Sequence, residues 1–204
     1  MPASSPPFTA MPGRLCTTRA WPRLSIWRTS AGRWLAAAGV LTLGACSPEL
    51  DWRDVAGAES GVTVQMPCKP KRQARQLAVA GHVTPVTLAA CQAQGMTFAL
   101  SWTDVRDPVR VGPALVEWRE AAQANLRAQL QPVSGRAVAG ATPNDQAGRW
   151  ALVGQSPQGE TRRSEVVLAS RGTWVVQATV LAAAWDAQAA DTFLSSLRFQ
   201  VSGS

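Results

Sequence analysis

Four cysteines and a single histidine make up the thiol and imidazole chemistry of this chain. Cys68 and Cys91 are the natural pair: a bond between them closes a loop of about two dozen residues and contributes about 3 kcal/mol on the chain-entropy account. Two unrelated buried thiols are the other reading of the same residues. No Cys-x-x-Cys is present, and His82 is the only imidazole, so neither a redox motif nor a metal site is expected and no cofactor is implied. His82 follows Gly81 in a turn-like stretch. A hydrolytic triad needs a base aimed at a nucleophile and oriented by an acid, and no nucleophile-elbow sequence appears. Asp104 and Asp107, in Trp102-Thr103-Asp104-Val105-Arg106-Asp107-Pro108, could form a carboxylate pair; the Asp-Pro step reads better as a loop leading into a helix. Gly135, Gly140, Gly148, Gly154 and Gly159 lack the spacing of a phosphate-binding loop. No catalytic residue is assigned.

Cys16 and Cys46 belong to a different kind of segment. Arg14, Arg19, Arg23, Arg28 and Arg33 are the only charged residues before Cys46, so the leader is purely cationic. An apolar run of about ten residues follows, from Trp34 to Leu43, which suits a signal-peptide core and falls short of a membrane span. The stretch ahead of this core is long, and translation from Met11 or later would give more ordinary proportions. On the residues alone, an uncleaved anchor helix or a cleaved, unmodified secretory peptide would also fit.

Leu43-Gly44-Ala45-Cys46, behind that leader, resembles the lipobox of bacterial lipoprotein precursors. The resemblance implies that the Cys46 thiol receives a diacylglyceryl group, that cleavage falls before it, and that the new amino group is acylated, palmitate being a typical chain. It divides the chain into a signal peptide (1–45), a tether with a short N-terminal stretch (46–60) and one periplasmic domain (61–204). The partner it implies is a membrane, held through the lipid. Ser47 stands where an aspartate would resemble an inner-membrane retention signal, which favours the outer membrane.

Removing residues 1–45 changes the charge balance. The 15 Lys and Arg that remain exceed the 13 Asp and Glu by two, so the basic character of the whole chain lies mostly in the leader and no nucleic-acid partner is expected. Local clusters persist at Lys69, Lys71, Arg72 and Arg75 and at Arg162-Arg163. They read as solvated charge or as contacts with anionic lipid headgroups or envelope polymers.

The elements that must position these residues are mainly strands. Residues 62–66 alternate apolar and polar; 76–79 and 83–91 form two arms around Gly81-His82; 96–102 follows Gly95. Further strands are expected at 136–141, 149–154, 161–170 and 173–181, with Arg171-Gly172 as a hairpin turn and a last short strand at Phe199 and Val201. Leu115, Trp118, Ala122, Leu126 and Leu130 mark an amphipathic helix over 113–130, with Pro113 in its first turn. A second helix spans about 186–195, capped by Asp186. The fold class is α+β: an antiparallel sheet of six or more strands packed with two or three helices. Trp52, Trp102, Trp118, Trp150, Trp174 and Trp185 fit either a core or an exposed stripe.

Gly61-Val62-Thr63-Val64-Gln65-Met66-Pro67, the central helix, the late hairpin and Phe193-Leu194-Ser195-Ser196-Leu197-Arg198-Phe199 together resemble the PsbP-like fold. That likeness implies a non-enzymatic binding or assembly module whose partner is an envelope protein or a small ligand. A small-ligand carrier with a cavity between sheet and helix, or a periplasmic hydrolase with a site built from scattered side chains, are the alternatives.

Overall fold

Tight reversals that need a positive φ divide the chain into antiparallel strands. The computed structural model describes residues 50–200; the expected signal peptide, Cys46 and Val201 lie outside them. In chain order the elements are β1 (Arg53–Gly57), β2 (Val62–Met66), β3 (Lys71–Val79), β4 (His82–Ala93), β5 (Met96–Asp104), α1 (Pro108–Leu126), β6 (Gln131–Pro132), β7 (Gly148–Gln155), β8 (Thr161–Arg171), β9 (Trp174–Ala182), α2 (Ala187–Ser195) and β10 (Arg198–Phe199). Seven strands form one antiparallel sheet in the order β3-β4-β5-β9-β8-β7-β6, and β1-β2-β10 form a second, three-stranded one. The class is α+β, as expected.

Two reversals show how local chemistry sets the register. Between β3 and β4, Ala80 and Gly81 both take positive φ (48° and 77°), and between β4 and β5 so do Gln94 and Gly95 (49° and 73°). A two-residue turn of this hand matches the twist of the strands it joins, which is why a glycine fills its second place. The β8–β9 turn is Gly172-Thr173, one residue later than expected, because Arg171 is already paired with Trp174.

The main sheet is covered on both faces at its centre. On one side α2 and the small sheet enclose Phe98, Leu100, Val176, Ala178, Val180 and Phe193, and the Phe98 and Phe193 rings meet edge to face at 5.4 Å. On the other side α1 lies on β7, β8 and β9, burying Val111, Ala114 and Leu115 against Leu168 and Val175, and Leu126 against Leu152 and Val166. As a result β8 is buried continuously from Ser164 to Ser170. A strand enclosed on both faces loses the usual polar alternation.

Four expectations are corrected. α1 begins five residues before Pro113, because Asp107 caps it through the Val109 amide at 3.0 Å and Pro108 takes the first helical position; Pro113 lies inside the helix. Its end also comes earlier, where Arg127 turns left-handed at φ 48°. Residues 136–141 form no strand: one parallel bridge, Ala139 to Arg198, is all they contribute, and Gly140 at φ +73° bends the chain under Phe199. His82 opens β4 instead of sitting in the turn. Ahead of residue 61 the described chain also forms β1, every residue of which pairs with β2.

Glycine 154 fixes the approach of the α1 end to the sheet. A β-carbon there would lie 2.1 Å from the Leu126 carbonyl oxygen and 2.8 Å from Ala128 Cβ, whereas one at the helical Gly112 would meet nothing within 4 Å. Gly154→Ala should therefore lower unfolding stability by about 1–3 kcal/mol through forced separation. Gly112→Ala should raise it by about 0.5–1 kcal/mol by helix propensity. Urea titration of the two variants checks both signs.

Candidate functional site

α1 covers only part of its side of the sheet, and beside it the sheet surface is left open. Reading outward from α1, paired positions on this face run Val166, Thr179, Ala99, Ala90 and Lys71 in one row, and Leu168, Gln177, Ser101, Leu88 and Gln73 in the next. Small and polar side chains occupy positions where an overlying helix would demand large apolar ones. The result is a cleft of about 500 Å³. Its floor is Thr97, Ser164, Val166, Gln177, Thr179 and Leu181; Ala122, Asn125 and Leu126 of α1 form one wall, and Ser156, Pro157 and Gln158 of the β7–β8 turn lie at one end with Arg162.

Neutral polar side chains outnumber apolar ones along the cleft, although the surface it exposes is mostly carbon. Gln177 Nε2 donates to Thr179 Oγ1 at 2.9 Å, which leaves the Gln177 carbonyl and the Thr179 hydroxyl proton to serve other partners. Gln92 Nε2 reaches Thr97 Oγ1 at 3.4 Å, and Ser164 Oγ is spent on the Val180 carbonyl at 2.9 Å. Ser156 Oγ has no partner among the described residues. Among the described residues no carboxylate lines the cleft, and the cation there, Arg162, pairs with Glu160. This arrangement can hold a neutral polar molecule by hydrogen bonds; it offers no nucleophile beside a base.

His82 and Asp104 do come together, in a second hollow of about 370 Å³ at the opposite end of the sheet, with Arg106 and Arg110. Its chemistry is largely committed. Asp104 Oδ1 accepts from the Arg106 amide at 2.8 Å, and the Thr84 hydroxyl is engaged with the Asp104 carbonyl at 3.0 Å. His82 makes no hydrogen bond to Asp104 or Thr84 among the described residues, so base, acid and hydroxyl are adjacent without being aligned. Asp107 lies outside the hollow, occupied as the α1 cap.

A third polar cluster lies beneath α2, and sequence reading missed it because its members come from separate elements. Glu165 is 4% exposed, yet Arg149 donates to its Oε2 twice, at 2.6 and 3.0 Å, and Arg163 donates to its Oε1 at 2.7 Å. Arg149 also bonds Asp191 of α2 at 2.8 Å, and the Arg163 guanidinium lies 4.3 Å from the centre of the Trp185 ring. Both Glu165 oxygens are thus matched within the sheet, and Arg149 extends the network to α2 through Asp191.

Cys68 and Cys91 are bonded, with Cα atoms 5.9 Å apart. Cys46 lies outside the described residues. The tryptophans resolve toward packing: Trp102 is buried, and Trp52, Trp118, Trp150, Trp174 and Trp185 each lean on a core cluster. None lines the cleft. Among the described residues no helix is long and apolar enough to cross a membrane, and no three His, Cys, Asp or Glu side chains gather as a metal site. Comparison with protein-family models, curated proteins and solved structures returned no match.

Replacing Cys68 and Cys91 by serine should cost about 3 kcal/mol of unfolding free energy, read by denaturant titration of both forms. The acid limb has a separate origin. The Arg149 hydrogen bond holds the Asp191 carboxyl below its ordinary value of 3.8. Stability from this pair is complete above that value and is lost as pH falls through the lowered one. Asp191 is largely exposed, so screening limits the gain to under about 1 kcal/mol. Asp191→Asn should flatten the decline of the unfolding free energy below pH of about 4; an unchanged slope would exclude the pair as its source.

Proposed function

We propose that this chain is a membrane-anchored lipoprotein of the bacterial cell envelope, whose PsbP-like periplasmic domain is a non-enzymatic binding module. The cleft beside α1 carries the binding part of this reading: an open hollow of about 500 Å³ whose floor presents amide and hydroxyl groups on a rigid sheet. Such a surface suits a small neutral polar ligand, or a polar side chain of an envelope protein. The address rests on Leu43-Gly44-Ala45-Cys46 and the arginine leader. A Cys68–Cys91 bond is in keeping with it, since disulfides persist in oxidising compartments. Ser47 favours the outer membrane.

The PsbP-like assignment draws on the order of elements: an early strand pair, a long helix laid on an antiparallel sheet, and a late hairpin leading into a short helix. A periplasmic hydrolase is the second reading, favoured by the hollow that gathers His82, Asp104, Arg106 and Arg110.

Two measurements test the proposal. Growth with an alkyne analogue of palmitate should label the wild-type chain and leave Cys46→Ala unlabelled; equal labelling of both removes the anchor. Native mass spectrometry of the chain isolated from envelopes should show a bound small molecule that is lost in Ala122→Trp, where an indole on the cleft wall fills the hollow. Adducts of equal abundance in the two proteins would place the ligand elsewhere.

A further inference from the structure

The described chain starts at a distinctive corner of the fold. The Asp51 amide donates to the Pro67 carbonyl at 2.9 Å, and Arg53 is paired with Met66. Cys68 follows Pro67 and is bonded to Cys91 at the end of β4. Next come Lys69 and Lys71 on either side of Pro70, the only two lysines in the sequence. Arg75 projects from the same face of β3 as Lys71, since side chains alternate along a strand.

These three cations are exposed, and none takes part in an ion pair among the described residues. Several arginines elsewhere are matched: Arg53 with Asp51, Arg110 with Asp107, Arg149 and Arg163 with Glu165, Arg162 with Glu160, and Arg198 with Asp54. Arg106, Arg127 and Arg136 are exposed without an ion pair among the described residues, but they stand well apart along the chain. Arg72, inside the same run, is also engaged. It donates to the Ala56 carbonyl at 2.9 Å and lies 6.0 Å from the Trp102 ring centre. Lys69, Lys71 and Arg75 thus put three unpaired cations within one short run of chain, beside the point where the described residues begin.

Cys46 is five residues before Asp51, a span of no more than about 18 Å when fully extended. A lipid on Cys46 would hold this corner close to the bilayer, within a few screening lengths of the headgroups, each about 8 Å at physiological salt. We infer that Lys69, Lys71 and Arg75 contact anionic phospholipid headgroups and fix how the domain stands on its membrane. The inference rests on the lipoprotein reading. Phospholipid is favoured over a soluble polyanion because the charges gather at the point of attachment, where tether length alone brings the headgroups within reach. Each such cation strengthens association with an anionic surface about fivefold.

Because the chain has only two lysines, amine labelling reports on this corner directly. The lipidated protein, purified from membranes, is placed in phosphatidylcholine vesicles with or without about one-third phosphatidylglycerol. It is then exposed to a membrane-impermeant amine-reactive reagent, and Lys69 and Lys71 are followed by mass spectrometry. Labelling should slow about fivefold or more in the anionic vesicles, recover in about 0.5 M salt, and slow less in Arg75→Gln. Equal rates in the two lipids, on a chain whose intact mass includes the acyl groups, overturn this inference alone. A mass without acyl groups overturns the anchor, and this inference with it. Protection by inorganic polyphosphate on neutral vesicles, without protection by phosphatidylglycerol, assigns the patch to a soluble polyanion and also overturns it.

Discussion

An α-helix with its side chains is about 10 Å across, and strands in a sheet lie about 4.8 Å apart, so one helix covers little more than two strands. On one side of the seven-stranded sheet α1 is the only helix among the described residues, and it lies over β7, β8 and β9. Much else follows from that mismatch in width. Beneath α1 the sheet presents Leu152, Val166, Leu168 and Val175; beyond it the same face carries Thr97, Ser101, Gln177 and Thr179. The cleft is the boundary between the two surfaces.

The opposite face meets the requirement differently. There α2 and the small sheet form a broader cover, and the apolar cluster extends from Ala89 on β4 to Val167 and Ala169 on β8. A short helix of nine residues contributes little area, and what holds it in place is partly polar: Glu165 is matched by Arg149 and Arg163, with Arg149 continuing to Asp191. Burying a carboxylate costs several kcal/mol unless its oxygens are satisfied, and here both are. Both arginines belong to the sheet, so Glu165 is matched independently of α2, and the helix shares in the network through the Arg149–Asp191 pair.

Legibility in the sequence followed the range of the interactions. β2, the β8–β9 hairpin and α2 with its Asp186 cap could be read because alternation, a glycine turn and a capping aspartate are local signals. The α1 start was misplaced because two prolines competed for the first turn, and the aspartate before Pro108 decided it. Residues 136–141 have the composition of a strand, but among the described residues their pairing is limited to the bridge with β10, where the Phe199 amide donates to the Ala139 carbonyl. Neither the cleft nor the Glu165 cluster could be read. Gln92, Asn125, Ser164 and Gln177 are ordinary polar residues until a sheet register and a helix edge bring them together.

The bond between Cys68 and Cys91 also has a mechanical side. Any pull on the N-terminus enters at Asp51, beside Pro67, and would peel β1 from β2 one hydrogen bond at a time, the weakest way to load an antiparallel pair. One residue after Pro67, the covalent bridge carries the load into β4, whose neighbours on both sides are the long strands β3 and β5. The small sheet takes such a load first, since β1 and β2 both precede Cys68 in the chain. What the bridge does is stop the peeling at Cys68, so that the edge strand β3 is not stripped next and the load passes across to the middle of the larger sheet.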